Sequence, residues 1–282
     1  MSSAMTRRLA YLGPAGTFTE AATLNYEPEA QLLPFSSIAA VAAAVDAGMA
    51  DEGVVPIENS LEGSVTDTLD LLIHESRLSI RRELVIPIEH CLLVKPGASA
   101  QDVRAIYSHP QALGQCRRFI ERCFPSIQAV AALSTAAAVG EMIQSEAPAA
   151  AIATSRAAEL YGAEILARGI QDNPANFTRF VVLAHEDHAA TGWDKTSLCF
   201  SFIEDRPGSL YAALGEFATR NINLAKVESR PNKEILGRYI FLVDLEGHRE
   251  DPLVKEALSG VQSVASMMKI LGSYPRYAGE SG

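Results

Sequence analysis

No apolar run in this 282-residue chain approaches the roughly 20 residues that a membrane-spanning helix needs, and no low-complexity tract interrupts it. Both absences point to a folded globular chain. Cysteine is scarce: Cys91, Cys116, Cys123 and Cys199 lack the paired spacing of zinc sites, and three of them lie in apolar strand or helix patterns, so reduced packing cysteines are expected. His185 and His188 stand three residues apart with no third ligand nearby, which reads as a solvated linker rather than a metal site. Positive charge is in deficit. A net charge of -10 and a pI near 5.1 argue against nucleic acid as the main partner. The first eight residues carry two arginines but no apolar core or cleavage site, so no secretory signal is expected and the chain is placed in the cytoplasm.

What is present is ample apolar material, 48% of residues, on a length that suits two domains. Through residue 183, Val/Ile-rich runs alternate with alanine-rich stretches. This order predicts an α/β fold with mainly parallel sheets and helices on both faces. Expected strands cover 9–12, 53–57, 91–94, 105–107, 149–153, 165–167 and 180–183. Expected helices begin after Thr17, whose capping box closes with Glu20, and cover 38–48, 65–74 and 135–144, with another opening at Pro110 and one capped by Thr154 or Ser155. Charged Arg81, Arg82 and Glu83 interrupt the pattern. Two lobes around a cleft follow, a periplasmic-binding-protein-like arrangement, with lobe one at about 6–82 and 166–186 and lobe two at 83–165. The loops noted lie at carboxyl ends of strands, where open α/β sheets place ligands.

Residues 185–192 read as a linker. Beyond it, a strand at 198–203, a turn at 205–209, a helix at 210–220, strands at 224–229 and 235–245, a helix near 251–259 and a strand near 265–271 give the order βαββαβ, a ferredoxin-like module spanning 196–275.

Asn173, Asn176, Phe177, Thr178, Arg179 and Phe180 read as a polar loop that runs straight into the apolar strand Val181-Val182-Leu183, which places a guanidinium next to a hydroxyl in sequence. On an acidic chain, a small polyanion is held only where cations or backbone N–H groups overcome the general field. Arg179 is the candidate cation, since a guanidinium grips a carboxylate through two parallel bonds, and Thr178 the candidate donor. The alternative is an Arg179 paired with an acid and a Thr178 that is merely part of a strand. Asn59 offers both donor and acceptor, or simply an Asx turn. Ser108 and His109 precede the Pro110 helix, whose N-terminus is suited to a carboxylate, with Gln115 a turn later; helix capping by Ser108 is the competing role.

Four segments, 11–18 (YLGPAGTF), 55–60 (VPIENS), 107–116 (YSHPQALGQC) and 176–180 (NFTRF), together resemble prephenate dehydratases, and 197–275 resembles the ACT regulatory domain through 206–210 (RPGSL) and 228–231 (ESRP). The resemblance implies a catalytic domain at 6–186 and a reaction that removes CO2 and hydroxide from prephenate to give phenylpyruvate, without metal or other cofactor. It implies Thr178, Asn59, Ser108 and Gln115 as catalytic residues, and Arg179, Phe180, Thr17, Thr154 and Ser155 as substrate contacts, although capping competes for Thr17 and Thr154. It implies phenylalanine as effector at Pro207, Gly208, Ser209, Leu210, Glu228, Ser229, Arg230 and Pro231, across the interface of a homodimer or homotetramer. Bifunctional relatives carry a chorismate mutase segment ahead of the first motif; with ten residues before Tyr11, that activity is not expected here. Arogenate as substrate, or a non-catalytic amino-acid or solute sensor, are the rival readings.

Overall fold

The computed structural model describes residues 6–202, 206–233 and 237–279. Two compact units emerge: Val85–Phe180 together with the chain up to Val65, and Thr66–Leu84 together with Val181 onward.

β1 (Arg8–Leu12), α1 (Phe18–Tyr26), β2 (Gln31–Phe35), α2 (Ile38–Asp46) and β3 (Glu52–Asn59) follow in order. β1 pairs in parallel with β2 on one side and β3 on the other. Thr17 caps α1 and Ser37 caps α2 through their hydroxyls. The expected capping box is altered, because the Glu20 carboxylate takes the Gly16 N–H at 2.6 Å. Pro34 is tolerated in β2 because β2 is an edge strand. β4 (Gly63–Ser64) folds back on β3, and α3 (Thr66–Asp70) runs into a π-helical turn, Leu71–Glu75. β5 (Ser79–Pro87) then continues straight through Arg81–Glu83, where an interruption was expected. Those charges have partners: Glu83 takes the Lys195 ammonium at 2.8 Å, and Arg81 donates to the carbonyls of Glu186 and Asp187.

A second sheet is built from β6 (Cys91–Val94), β7 (Ala105–Ser108), β8 (Gln128–Ala131), β9 (Ala149–Ala153) and β10 (Glu164–Ala167) in the order β10-β6-β9-β7-β8. β7 pairs in parallel with β8 and β9, whereas β6 is antiparallel to β9 and β10, so this sheet is mixed rather than mainly parallel. Its helices are α4 (Pro110–Gln115), α5 (Arg117–Cys123), α6 (Thr135–Gln144) and α7 (Ser155–Tyr161). The core alternates along β9: Ala149, Ala151 and Ala153 pack with Val139 and Met142 of α6, and Ala150 and Ile152 face Ile106, Ala112 and Cys116. β11 (Phe177–Ala184) returns to the first sheet, whose order is β2-β1-β3-β11-β5. The crossings between sheets therefore fall after β5 and after β10, so residues 83–87 lie in the first sheet and 166–167 in the second, unlike the expected lobe limits. β2, β8 and α5 were not anticipated.

In the second unit, β12 (Asp194–Ser201), α8 (Ser209–Ala218), β13 (Leu224–Pro231), β14 (Tyr239–Glu246), α9 (Pro252–Val264) and β15 (Met267–Pro275) reproduce the expected βαββαβ order. The sheet is antiparallel, β13-β14-β12-β15, and Leu198, Phe200 and Val243 meet Ala213, Phe217 and Val261 of the helices. Ile203, Asp205 and Ile235, which fall in the expected strands and turn, lie outside the described residues. The segment 185–192 is not loose: Asp187 accepts from Ser273 N at 2.9 Å and pairs with Arg249 at 3.0 Å, and Asp194 accepts from the Thr191 and Gly192 N–H groups.

Candidate active site

A cavity of about 500 Å³ lies wholly within the first unit, at the carboxyl ends of β1, β2, β3, β7 and β8. Four helix starts reach its wall: Thr17 and Phe18 of α1, Ser36 ahead of α2, His109 and Gln111 at α4, and Ser134 and Thr135 at α6. Among the described residues lining it there is no lysine, arginine, aspartate or glutamate. What the described lining offers an anion is helix starts with their backbone N–H groups, two histidines and hydroxyl and amide side chains.

Arg179, the expected cation, is not among the residues lining the cavity. Successive strand residues point to opposite faces, so Thr178 and Phe180 line the cavity while Arg179 turns away, its Nη2 3.2 Å from the Glu58 carboxylate. Ser108 is also withdrawn. Its hydroxyl, fully buried, donates to the Ile152 carbonyl at 2.6 Å and ties β7 to β9, while His109 caps α4 through Nδ1. Ser108→Ala is expected to destabilise the fold by about 1–3 kcal/mol, the cost of a buried carbonyl left unpaired, while kcat stays within about twofold; urea denaturation alongside steady-state kinetics measures both. Thr154 caps α7 and donates to Gly16 O at 2.7 Å; neither it nor Ser155 lines the cavity. Thr17 lines it, but its hydroxyl already donates to Pro14 O and accepts from Glu20 N.

Asn59, Thr178, Asn176, Gln115 and His90 form one hydrogen-bonded chain whose polarity is forced from one end. Asn59 Oδ1 accepts from the backbone N–H groups of Leu61 and Glu62, at 3.0 and 3.1 Å, which realises the Asx turn. A backbone N–H can only donate, so the Asn59 amide orientation is fixed and Nδ2 is its donor. Nδ2 gives to Thr178 Oγ1 at 2.9 Å, to Asn176 Oδ1 at 2.8 Å and to Phe177 O at 3.1 Å. Asn176 Nδ2 must then donate to Gln115 Oε1, at 3.0 Å, and Gln115 Nε2 turns to Glu62 at 3.5 Å. Two ends of the chain remain. Thr178 Oγ1 is an acceptor from Asn59, so its proton is left to aim elsewhere. Gln115 Oε1, an acceptor, lies 2.9 Å from His90 Nε2, so that nitrogen carries hydrogen.

His90 and Asn176 were not singled out as site residues. Asn176 is completely buried and His90 is 2% exposed, with its ring edge-on to Phe18. The only local signal for His90 is a polar Glu89-His90 pair directly ahead of β6, whose four residues are all buried. Burial pushes the His90 imidazole below its ordinary range, against the opposing pull of the Gln115 bond. It is therefore neutral near pH 7.

A family model described as prephenate dehydratase matches residues 9–188, and an ACT domain model matches 200–261. The bifunctional chorismate mutase/prephenate dehydratase of Aquifex aeolicus is 45% identical over 270 residues, covering 95% of this chain and 74% of that protein. The prephenate dehydratase of Mycobacteroides abscessus is 39% identical over 280 residues, covering 96% and 90%. The chain belongs to the prephenate dehydratase family. Among solved structures, the Arthrobacter aurescens prephenate dehydratase in complex with L-Phe superposes with a TM-score of 0.88 at 38% identity, covering 95% of this chain and 90% of that one. The dehydratase fold is thus two-lobed with a C-terminal ACT domain, and in this dehydratase Thr178, Asn59 and Gln115 meet around one cavity.

Proposed function

We propose that this cavity binds prephenate and converts it to phenylpyruvate with loss of CO2 and water. The observation that carries the reading is the bond from Asn59 Nδ2 to Thr178 Oγ1, which occupies a hydroxyl lone pair and leaves the hydroxyl hydrogen for the substrate. Thr178 donates a hydrogen bond to the departing ring hydroxyl; as the C–O bond breaks, that oxygen takes up a proton that comes from solvent and leaves as water, the C–C bond to the ring carboxylate breaks, CO2 leaves and its electron pair completes the aromatic ring. Asn59 positions Thr178, Gln115 positions Asn176, and Phe180 packs the wall. Arg179 acts behind the strand, holding Glu58 out of the cavity, where a carboxylate would repel the dianion. The absence of any carboxylate among the described lining residues favours the keto substrate over arogenate, whose ammonium group would have no counter-charge. Purified protein incubated separately with prephenate and arogenate tests this: phenylpyruvate absorbance should appear, and kcat/KM for prephenate should exceed that for arogenate. No absorbance change with either compound would end the reading.

The ACT module, at about 196–275 beside a catalytic domain at 6–186, takes phenylalanine at the turn Pro207-Gly208-Ser209-Leu210 and at Glu228–Pro231, in a homodimer or homotetramer located in the cytoplasm. Gly208, at φ +90°, gives the backbone the left-handed bend a close approach needs. Arg230 carries the message, since it pairs with Asp70 at 3.2 Å on α3, and Val65, the residue before α3, lines the cavity. Asp70→Ala should bind phenylalanine in calorimetry as the parent does, yet need about five times more of it, or above, for half inhibition, because coupling and not affinity is lost. Unchanged inhibition would remove Arg230 from the path.

A further inference from the structure

One hydroxyl in the cavity wall has no task inside the protein. Thr19, the second residue of α1, is 6% exposed and lines the cavity. Among the described residues its hydroxyl has no hydrogen-bond partner, and it is not one of the partnerless side-chain atoms shut off from solvent, so the little surface that Thr19 keeps includes that oxygen. A hydroxyl so deeply placed without a partner costs stability, and the partner it lacks must come from outside the chain. The start of α6 stands beside it. Gly16, at φ +87°, brings the turn ahead of α1 so close to α6 and α7 that a Cβ there would lie 3.4 Å from Ala136 Cβ and 3.1 Å from Ala157 Cβ. Thr135, the first residue of α6, lines the same cavity, and its hydroxyl is likewise without a partner among the described residues. The caps take the third N–H of each helix, Glu20 N going to Thr17 Oγ1 and Ala137 N to Ser134 Oγ. The N–H groups of Thr19 and Thr135 come earlier, have no acceptor within their helices and are left for an anion. The Glu20 carboxylate does not line the cavity; it takes the Gly16 N–H at 2.6 Å, with the Arg156 guanidinium 3.8 Å away.

We infer that Thr19 and Thr135, with the N–H groups of their helix starts, hold the carboxylate that prephenate keeps, the one at the end of its pyruvyl side chain. The inference rests on the dehydratase reading of the cavity. Which carboxylate is held follows from the chemistry. The ring carboxylate loses its charge as CO2 forms, so donors aimed at it would stabilise the ground state over the transition state and slow the reaction. The side-chain carboxylate keeps its charge throughout and is gripped without that effect. Spacing agrees: Thr19 follows β1 and Thr178 lies on β11, with β3 between them, so the two strands stand about 10 Å apart, two interstrand spacings. Prephenate carries its hydroxyl and its side chain on opposite ring carbons, so a molecule with its hydroxyl at Thr178 spans the sheet toward α1.

Thr19→Val and Thr135→Val, each in the full chain and assayed with prephenate, test it. Each substitution keeps the shape of the side chain and removes one hydrogen bond to a carboxylate, so KM should rise about 10-fold or more while kcat stays within about threefold, because the bond is present in ground and transition states alike. Thr19→Ser, which keeps the hydroxyl, should stay within about threefold of the parent KM. Phenylpyruvate carries only the retained carboxylate, and in calorimetry it should bind each valine variant more weakly by a similar factor. An unchanged KM in Thr19→Val, a fall in kcat with KM held, or a raised KM with phenylpyruvate bound as tightly as by the parent overturns the inference. Should Thr19→Val fold poorly, Thr135→Val with the same two measurements decides alone. A parent protein that leaves prephenate unchanged would instead defeat the dehydratase reading on which this one stands.

Discussion

Thr178→Val is expected to lower kcat by about 10²–10³ while KM moves less than about threefold, because the substitution keeps the shape of the side chain and deletes one hydroxyl. The cavity wall at Thr178, 9% exposed, is otherwise retained, and Asn59 Nδ2 still has Asn176 Oδ1 and Phe177 O as acceptors, so no buried donor is orphaned. The helix starts that line the cavity lie on other elements and are left unchanged, so KM should hold. Thr178→Ser restores the hydroxyl but not the methyl that limits its rotamers, and should recover most of the loss. Steady-state kinetics on prephenate, with thermal denaturation to show that the fold is intact, measures the effect. An unchanged kcat would mean that the hydrogen bond comes from elsewhere.

Asn59→Asp is the sharper experiment, since it changes one nitrogen to oxygen and leaves Thr178 in place. Asn59 Oδ1 is committed to the Leu61 and Glu62 N–H groups, so the new oxygen must occupy the Nδ2 site. There it faces Asn176 Oδ1, Phe177 O and Thr178 Oγ1, all acceptors as they stand. Thr178 can respond by turning its hydrogen toward the carboxylate and away from the cavity, and the Asn176 amide by flipping its Nδ2 toward it. A negative charge is also placed beside a dianion site that has no lysine or arginine among its described lining residues. The expected loss in kcat/KM is about 10³ or more, from a lost transition-state donor plus charge repulsion. Equal activity in parent and variant at neutral pH would show that the Thr178 hydroxyl is not oriented by Asn59.

Local punctuation was legible in the sequence. Thr17, Ser37 and Thr154 cap helices where their spacing ahead of apolar periodicity indicates, Pro110 opens α4, and the βαββαβ order of the C-terminal module stands out in its alternating runs. What escaped depends on partners distant in sequence. β5 persists through Arg81–Glu83 because Lys195 and the carbonyls at 186 and 187 compensate those charges, and nothing near residue 81 announces it. The antiparallel placement of β6 and β10 is likewise a matter of which edges are available. Arg179 is different: the two-residue period of a strand already separates it from Thr178, and the distance in space was readable from adjacency in sequence. Ser108 looked like a cap because it precedes a helix, but the residue one step on fills that position and frees the serine to clamp two strands. Asn59, Thr178 and Gln115, singled out in the sequence, do line one cavity. His90 gave no such signal, because its place beside them follows from an amide chain, Asn59, Asn176 and Gln115, assembled from three other segments.

A cavity whose described lining holds helix starts but no lysine or arginine has a bearing on turnover. Prephenate enters with two carboxylates, and phenylpyruvate departs with one, the other having become neutral gas. Partial charges at helix starts grip a doubly charged guest collectively and relax their hold on a singly charged, flatter one, whereas a buried guanidinium would retain either. Loss of one charge in the reaction would then itself weaken the hold on the aromatic acid.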